Sequence, residues 1–452
     1  MEELRILSPT AILGYGFPIK SFEEGMRRRP HVIAVDAGST DPGPYYLGAG
    51  ISFTDRNAVK RDLEIMIPAA LEADIPVIIG SAGGSGADLH LNWNVEIIKE
   101  IAKEKGLKFK MAVIHAEISK DLLLEKMDRG ELYPLRPAPE LTRDELQKAV
   151  RVVGQMGLEP FLAAIEQGAQ VIVAGRAYDP SVFAALAVKE GFDKGYAIHL
   201  GKILECASIA ATPGSGSDCM IGYLLKDGFL VEPLNEARKC TVLSVAAHTL
   251  YEKTNPYILP GPGGELDLTD TRFEQVTDRM VKVTGSRFVP SKKYTIKLEG
   301  VKKIGYRTVS IAGCRDPIMI SKIDDIIKGV KERVADNFNE LNKDYYLDFK
   351  IYGRNGVMGA LEPNKSTASH ELGIIIEAVS EDQSTANTIC SFARSTMLHY
   401  GYEGRIATAG NLAFPYSPSD FKAGEVYVFN VYHLIEVNDP TELFPMEIYD
   451  IG

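Results

Sequence analysis

The sequence predicts a two-domain protein of mixed α and β structure, and three observations carry that prediction. Four short apolar runs in the first 180 residues each break off into a Gly-rich or charged turn: VIAVDAGSTD from Val32, VIIGSAGGSG from Val77, MAVIHAE from Met111 and VIVAGRAYD from Val171. Segments of helical periodicity alternate with them. From about residue 292 the rhythm changes to strand, helix, strand, strand, helix, strand. Buried parallel strands read as continuous Val/Ile/Ala runs, and strands alternating with helices imply right-handed crossovers. The expected layout is a mostly parallel, doubly wound, Rossmann-like sheet over residues 1–290, then a ferredoxin-like α+β domain over 291–452.

Each element has its local reason. RNAVKRDLEIMIPAALEAD (56–74) reads as a helix with Pro68 inside it, and LHLNWNVEIIKEIAKEKG from Leu89, SKDLLLEKMDRG from Ser119 and PSVFAALAVKEG from Pro180 follow the next three strands. Ser119 suits an N-cap and Pro180 a first turn, while Gly106, Gly130 and Gly191 stand where helices stop. Residues 141–168 and 196–211 read as further helices, YLLKDGFLVEPLN as a hairpin around Asp227-Gly228, and 240–254 as a helix ending at the Pro/Gly-dense NPYILPGPGGELDL. In the second domain YTIKLEGV and YRTVSIAGC read as two strands, IDDIIKGVKERVADNF as a helix and YYLDFKIYG and LGIIIEAVS as strands. SEDQSTANTICSFARSTMLHYG reads as a helix opening on a Ser380/Gln383 capping box, and EVYVFNVYHLIEV as the closing strand.

A chain of 452 residues with 50 Lys plus Arg against 61 Asp plus Glu carries a net charge of −11. The charges are mixed along it, which argues against nucleic acid as a partner, because phosphate backbones are bound by clustered basic charge. The start, MEELRILSPTAILGYG, reads as neither a secretion signal nor a membrane anchor. Five widely spaced cysteines without a CxxC pair suit reduced thiols, so a cytoplasmic protein is expected.

Open α/β sheets bind ligands at the carboxyl ends of their strands, so the candidate site is the set of residues there. In VIIGSAGGSG, Ser81, Gly83, Gly84, Ser85 and Gly86 form a turn whose backbone N–H groups can approach an anion. It matches neither GxxxxGK[ST] nor GxGxxG, and a structural turn is the competing reading. The strand ending DAGST resembles the phosphate loop of the actin-like ATPases, but Asp41-Pro42-Gly43-Pro44 forces a rigid turn where that fold needs a hairpin. Asp36 and Asp41 are instead candidates for a substrate hydroxyl or a hard divalent cation, or for capping the loop by local hydrogen bonds, and Ser39 and Thr40 are candidates for binding substrate. His115 and Glu117 alternate onto one side of their strand end, where they read as a general acid/base pair or, for His115, as a satisfied half-buried histidine. Arg176 suits a planar carboxylate or phosphate, or a structural pair with Asp179. On HTLYEKTN, His248, Tyr251, Glu252 and Asn255 share a helix face that is either a binding face or a solvated one, and His248 with Glu252 supplies two of the ligands a metal needs. In HLGKILECAS, Glu205 is a carboxylate placed for burial and an acid role; Cys206 reads as core or nucleophile.

Together, AVDAGSTDPGPYYLG, GSAGGSG, AGRAYDP, ECAS, NPYILPGPGGELDL and AGNLAFPYSPSDF resemble the acyclic terpene utilisation (AtuA-like) family, a domain family of unknown function. The resemblance implies a metabolic protein acting on small carboxylates or acyl-CoA esters, in the setting of bacterial breakdown of branched acyclic terpenoids. It carries over no catalytic residues, and it implies that a small partner subunit can accompany the chain.

Three functions follow as expectations. The first is a lyase or hydratase, with Arg176 and the Gly83–Gly86 turn binding a small anionic metabolite while His115/Glu117, Glu205 or Asp36 moves a proton. The second is a nucleotide- or CoA-dependent transferase or ligase. The third is a non-catalytic metabolite-binding subunit. No cofactor is identifiable, a CoA thioester or divalent metal is compatible with the residues, and the free sheet face of the second domain points to a homo-oligomer.

Overall fold

The computed structural model describes residues 2–251, 254–340, 343–365 and 369–452. It is a mixed α/β structure in two compact units: residues up to Lys302 with Phe429–Gly452, and Lys303–Val428.

The four apolar runs of the first unit are strands Val32–Asp36, Val77–Gly80, Phe109–Ile114 and Val171–Ala174. With Leu4–Ser8 they form five consecutive parallel strands, in the order Leu4–Ser8, Val32–Asp36, Val77–Gly80, Val171–Ala174, Phe109–Ile114. Antiparallel strands extend this centre on both sides, including the hairpin Met220–Leu225/Gly228–Pro233 and the edge strand Met446–Ile451. Alternate strand residues enter two separate cores. Val32, Ala34 and Ile172 pack with helices Asp179–Lys189 and Lys194–Leu204; Ile33, Val35 and Val173 pack with helices Arg56–Glu72 and Asp88–Lys105. Apolar residues on both faces of every central strand explain why these runs lack the polar alternation of a half-exposed sheet.

Helix boundaries follow the capping residues. Ser119 Oγ accepts from the Leu122 N–H, Asp193 caps Lys194–Leu204, and Gly106 ends Asp88–Lys105 at φ +65°. Pro68 sits inside Arg56–Glu72 without ending it. Residues 141–168, expected to be helical, are broken by strand Ala149–Gly154 between helices Arg143–Lys148 and Glu159–Glu166. The β-branched Val152 and Val153 pair antiparallel with Gly300 and Glu299, and tertiary pairing overrides the helical spacing.

The second unit runs strand, helix, strand, strand, helix, strand, with helices Ile323–Asn337 and Gln383–Leu398. Within this unit the strand order is Tyr345–Tyr352, Leu372–Ser380, 303–314, 420–428. YTIKLEGV and YRTVSIAGC, expected as two strands, are one continuous strand, Tyr294–Cys314. The strand changes partners rather than ending: residues 298–302 pair with 149–154, and 306–314 with 372–380, on either side of Gly305 at φ +149°. The expected Ser380/Gln383 capping box is replaced by Asp382, whose side chain accepts from the Thr385 N–H, while Ser380 Oγ bonds the Asp344 carbonyl.

Candidate functional site

The parallel centre aligns the four strand ends, but it separates their side chains into two groups. Asp36, Ser81 and Arg176 end three adjacent strands; His115 ends the fourth, three strand spacings from Asp36, or about 14 Å across the sheet at ~4.8 Å per step.

The first group is buried. Arg176 is 3% exposed: its Nε donates to Glu299 Oε2 at 2.7 Å, and Nη1 donates to the Ala177 carbonyl at 2.8 Å, Ser81 Oγ at 3.1 Å and Asp179 Oδ1 at 3.1 Å. Lys297 holds the other Glu299 oxygen at 2.8 Å. Burial alone would raise the Glu299 carboxyl, but the two cations outweigh it and hold it at about 2. Asp36 receives the opposite treatment. Burial, then the nearby charge of Asp179, pushes its carboxyl well above the usual range against the pull of Arg176, and its Oδ1 has no hydrogen-bond partner. Asp179 is raised by the same burial. Glu205 lies within electrostatic reach of Asp36 and is bound by Lys202 Nζ at 2.5 Å, both side chains being buried.

The backbone explains the close assembly. Ser81 is held at φ +48°, a left-handed conformation unusual outside glycine and asparagine, and its Oγ also accepts the Ala177 N–H at 3.2 Å. The Gly86 carbonyl accepts a hydrogen bond from the Arg176 N–H, and a Cβ on Gly86 would lie 2.1 Å from that nitrogen, so only glycine lets the two turns meet. Thr40 and Ser85 are buried, and Ser85 Oγ has no partner. Ser39 Oγ donates to Asp41, which is exposed, as part of the turn itself.

In the second group, His115 does not pair with Glu117. Its Nδ1 lies 2.7 Å from Asp88 Oδ1 and its Nε2 3.7 Å from Glu447. Glu117 accepts the Asp88 N–H at 3.0 Å, so the amino end of helix Asp88–Lys105, where the Gly-rich turn was expected to receive a ligand anion, already carries a carboxylate of the protein. Burial raises the Glu117 carboxyl while that N–H opposes the rise.

His248 joins the first group from helix Val242–Thr249. It stacks on Tyr251 at 5.5 Å, and burial with the charge of Lys202 lowers its imidazole to about 4. Lys202 also sits 5.4 Å from the Tyr251 ring centre. Glu252, the suggested second metal ligand, lies outside the described residues. Asn255 is exposed and caps a turn, accepting from the Tyr257 N–H. Among the described residues no group of three His, Cys, Asp or Glu side chains is arranged to hold a metal ion, and no helix is long and apolar enough to cross a membrane.

Sequence reasoning missed Lys202, Lys297, Glu299 and Asp88. Lys202 stands three residues before Glu205, a spacing visible in HLGKILECAS. Glu299 stands two residues after Lys297, but nothing local points to Arg176, its partner 123 residues away.

A family model described as "Acyclic terpene utilisation family protein AtuA" matches residues 55–219 and 227–416. No curated protein and no solved structure matches the chain.

Proposed function

The chain belongs to the acyclic terpene utilisation family, and from that premise we propose that it is a cytoplasmic metabolic enzyme acting on a small carboxylate or acyl-CoA ester. Its chemistry is proton transfer of the lyase or hydratase kind at the carboxyl ends of the parallel strands. The reading takes the first unit as Rossmann-like and the second as ferredoxin-like.

The observation that supports it most is Asp36, a buried carboxyl whose proton is held more tightly than usual by burial and by the nearby charge of Asp179, with one oxygen unpartnered. Such a group donates a proton or a strong hydrogen bond to an oxyanion developing on a substrate carbonyl, as buried neutral carboxylic acids do elsewhere. Glu205, tied to Lys202, is the carboxylate assigned to the opposite role of accepting a proton next to that carbonyl. Arg176, with its donors turned to Glu299, Asp179, Ser81 and Ala177, sets the charge and position of these carboxyls rather than gripping the substrate itself.

Proton exchange in D2O tests this directly. Incubated with a panel of dicarboxylates, hydroxy acids and CoA thioesters, the protein should exchange the proton next to the carbonyl of at least one, followed by NMR. Asp36→Asn should slow that exchange about 100-fold or more. Absence of exchange across the panel, or exchange indifferent to Asp36→Asn, would sink the reading. A homo-oligomer, with or without a small partner subunit, belongs to the same proposal, and light scattering of the purified chain measures it.

A further inference from the structure

The Pro/Gly-dense segment NPYILPGPGGELDL has no part in the chemistry above. In the structure it forms the hairpin Ile258–Gly261/Gly264–Asp267, which pairs through its second strand with Arg287–Pro290. Beneath it lies a cleft of about 460 Å³, within the range of small-molecule sites. Pro260, Val289, Pro290 and Leu434 give it apolar walls, Lys297 is its cation and Glu265 its acid.

Two contacts tie this cleft to the buried cluster. Lys297 bonds the Glu299 oxygen that Arg176 leaves open, so a single carboxylate is shared by two cations. The Lys297 side chain remains 24% exposed, with its ammonium 4.6 Å from the Tyr432 ring centre, so the cation is positioned where a ligand in the cleft can meet it. On the other side, Gly261 packs so closely on Tyr178 that a Cβ there would lie 2.9 Å from the ring. Tyr178 is half-buried, within electrostatic reach of Glu205, Lys202 and Asp179.

We propose that the cleft under the Pro260–Gly264 hairpin binds an amphipathic carboxylate, with the apolar body against Pro260, Val289 and Leu434 and the carboxylate on Lys297. The inference deepens the proton-transfer reading by giving its substrate a seat, and rests on that reading only for the identity of the bound molecule as substrate. Sharing Glu299 with Arg176 leaves Lys297 incompletely neutralised, which favours an anion over a neutral ligand. The apolar walls favour an anion with a carbon body over inorganic phosphate.

Calorimetric titration of the full chain with hexanoate, 1-hexanol and inorganic phosphate tests the assignment without any turnover. Hexanoate should bind saturably, at least tenfold more weakly in Lys297→Met, and not measurably in Val289→Trp, which fills the cleft. Lys297→Arg should restore binding, and shows that loss in Lys297→Met is not unfolding. Exchange and hexanoate binding are read in separate assays, so a failed exchange reaction and a failed cleft give different patterns. Hexanoate binding that ignores both Lys297→Met and Val289→Trp, no hexanoate binding, or phosphate or hexanol binding as tightly as hexanoate would each overturn the proposal.

Discussion

The Asp36–Arg176 cluster and the His115–Asp88 group occupy the same edge of the same sheet, yet their charges are handled in opposite ways. Around Arg176, ionisable groups are drawn away from water and settle one another: the Glu299 carboxyl is pulled down and the Asp36 carboxyl pushed up. Around His115, the partners Asp88 and Glu447 are 45% and 54% exposed, and Glu117 serves a helix amino end. Burial turns proximity into strong coupling, whereas water-facing pairs are screened. A strand-end location therefore nominates a group for function, and burial with an unmet hydrogen-bond requirement distinguishes the stronger candidate.

The sharpest break of this comparison is removal of the central cation. Arg176→Met leaves the Glu299 carboxylate buried without it and the half-buried Asp179 without its partner, and should destabilise the chain by about 3–5 kcal/mol in urea unfolding, the range for breaking a buried pair from one side. His115→Ala, in the exposed group, should change stability by less than about 1 kcal/mol. Equal effects would erase the distinction between the two regions.

Next in size is the backbone contact between the turns. Gly86→Ala places a Cβ 2.1 Å from the Arg176 nitrogen at a position with φ +69°. Strain and overpacking together should cost about 2–4 kcal/mol, read from the denaturant midpoint. A substitution at Gly130, with φ +70° and open space around it, should show the strain alone, about 1–2 kcal/mol. Similar losses at both positions would mean that the turns are not held in contact.

How much of this was legible follows from sequence distance. The four strands, their carboxyl-end turns and most helix ends are local patterns, and Asp36, Ser81, Arg176 and Asp179 were selected because each lies within a few residues of a strand end. What was not legible needed a partner elsewhere. Ala149–Gly154 reads as helix until Leu298–Lys302 lies beside it, and Glu299 looks like an ordinary strand charge until Arg176 reaches it. His115 and Glu117 alternate correctly on their strand, but the helix end at Asp88 comes between them and binds both. Alternation fixes the side on which a residue lies, and the third element decides its partner.

The pH dependence of stability separates the two carboxyls of the buried cluster. Burial raises the Asp36 carboxyl in the folded chain, so above the unfolded value near 3.9 the unfolded chain releases a proton that the folded chain keeps until its own raised value is reached. Stability then falls with rising pH by up to about 1.4 kcal/mol per unit until the raised folded value is passed. Asp36→Asn removes this loss, so the variant should exceed the unaltered chain in stability at pH 7 and converge with it towards pH 4. Glu299 runs the other way: its folded value of about 2 lies below the unfolded one, so its contribution is present above about 4.3 and disappears as pH falls through 2. An Asp36→Asn chain less stable than the original at pH 7 would mean that Asp36 is ionised in the folded protein.

The smallest expected effect concerns Glu117, and it sharpens the contrast from the exposed side. Its carboxylate accepts the Asp88 N–H at the start of an 18-residue helix, where a negative charge meets the positive end of the helix dipole. Glu117→Gln keeps an oxygen to accept that hydrogen bond and removes only the charge, so the loss should be about 0.3–1 kcal/mol and shrink in high salt. The variant also vacates the charge that opposes any ligand anion at the Gly83–Gly86 turn. Thermal-shift titration with inorganic phosphate should therefore give a larger stabilisation in Glu117→Gln than in the unaltered chain. If phosphate stabilises both equally, the helix end is open to external anions despite Glu117, and the exposed group recovers its claim as a ligand site beside the Asp36 cluster.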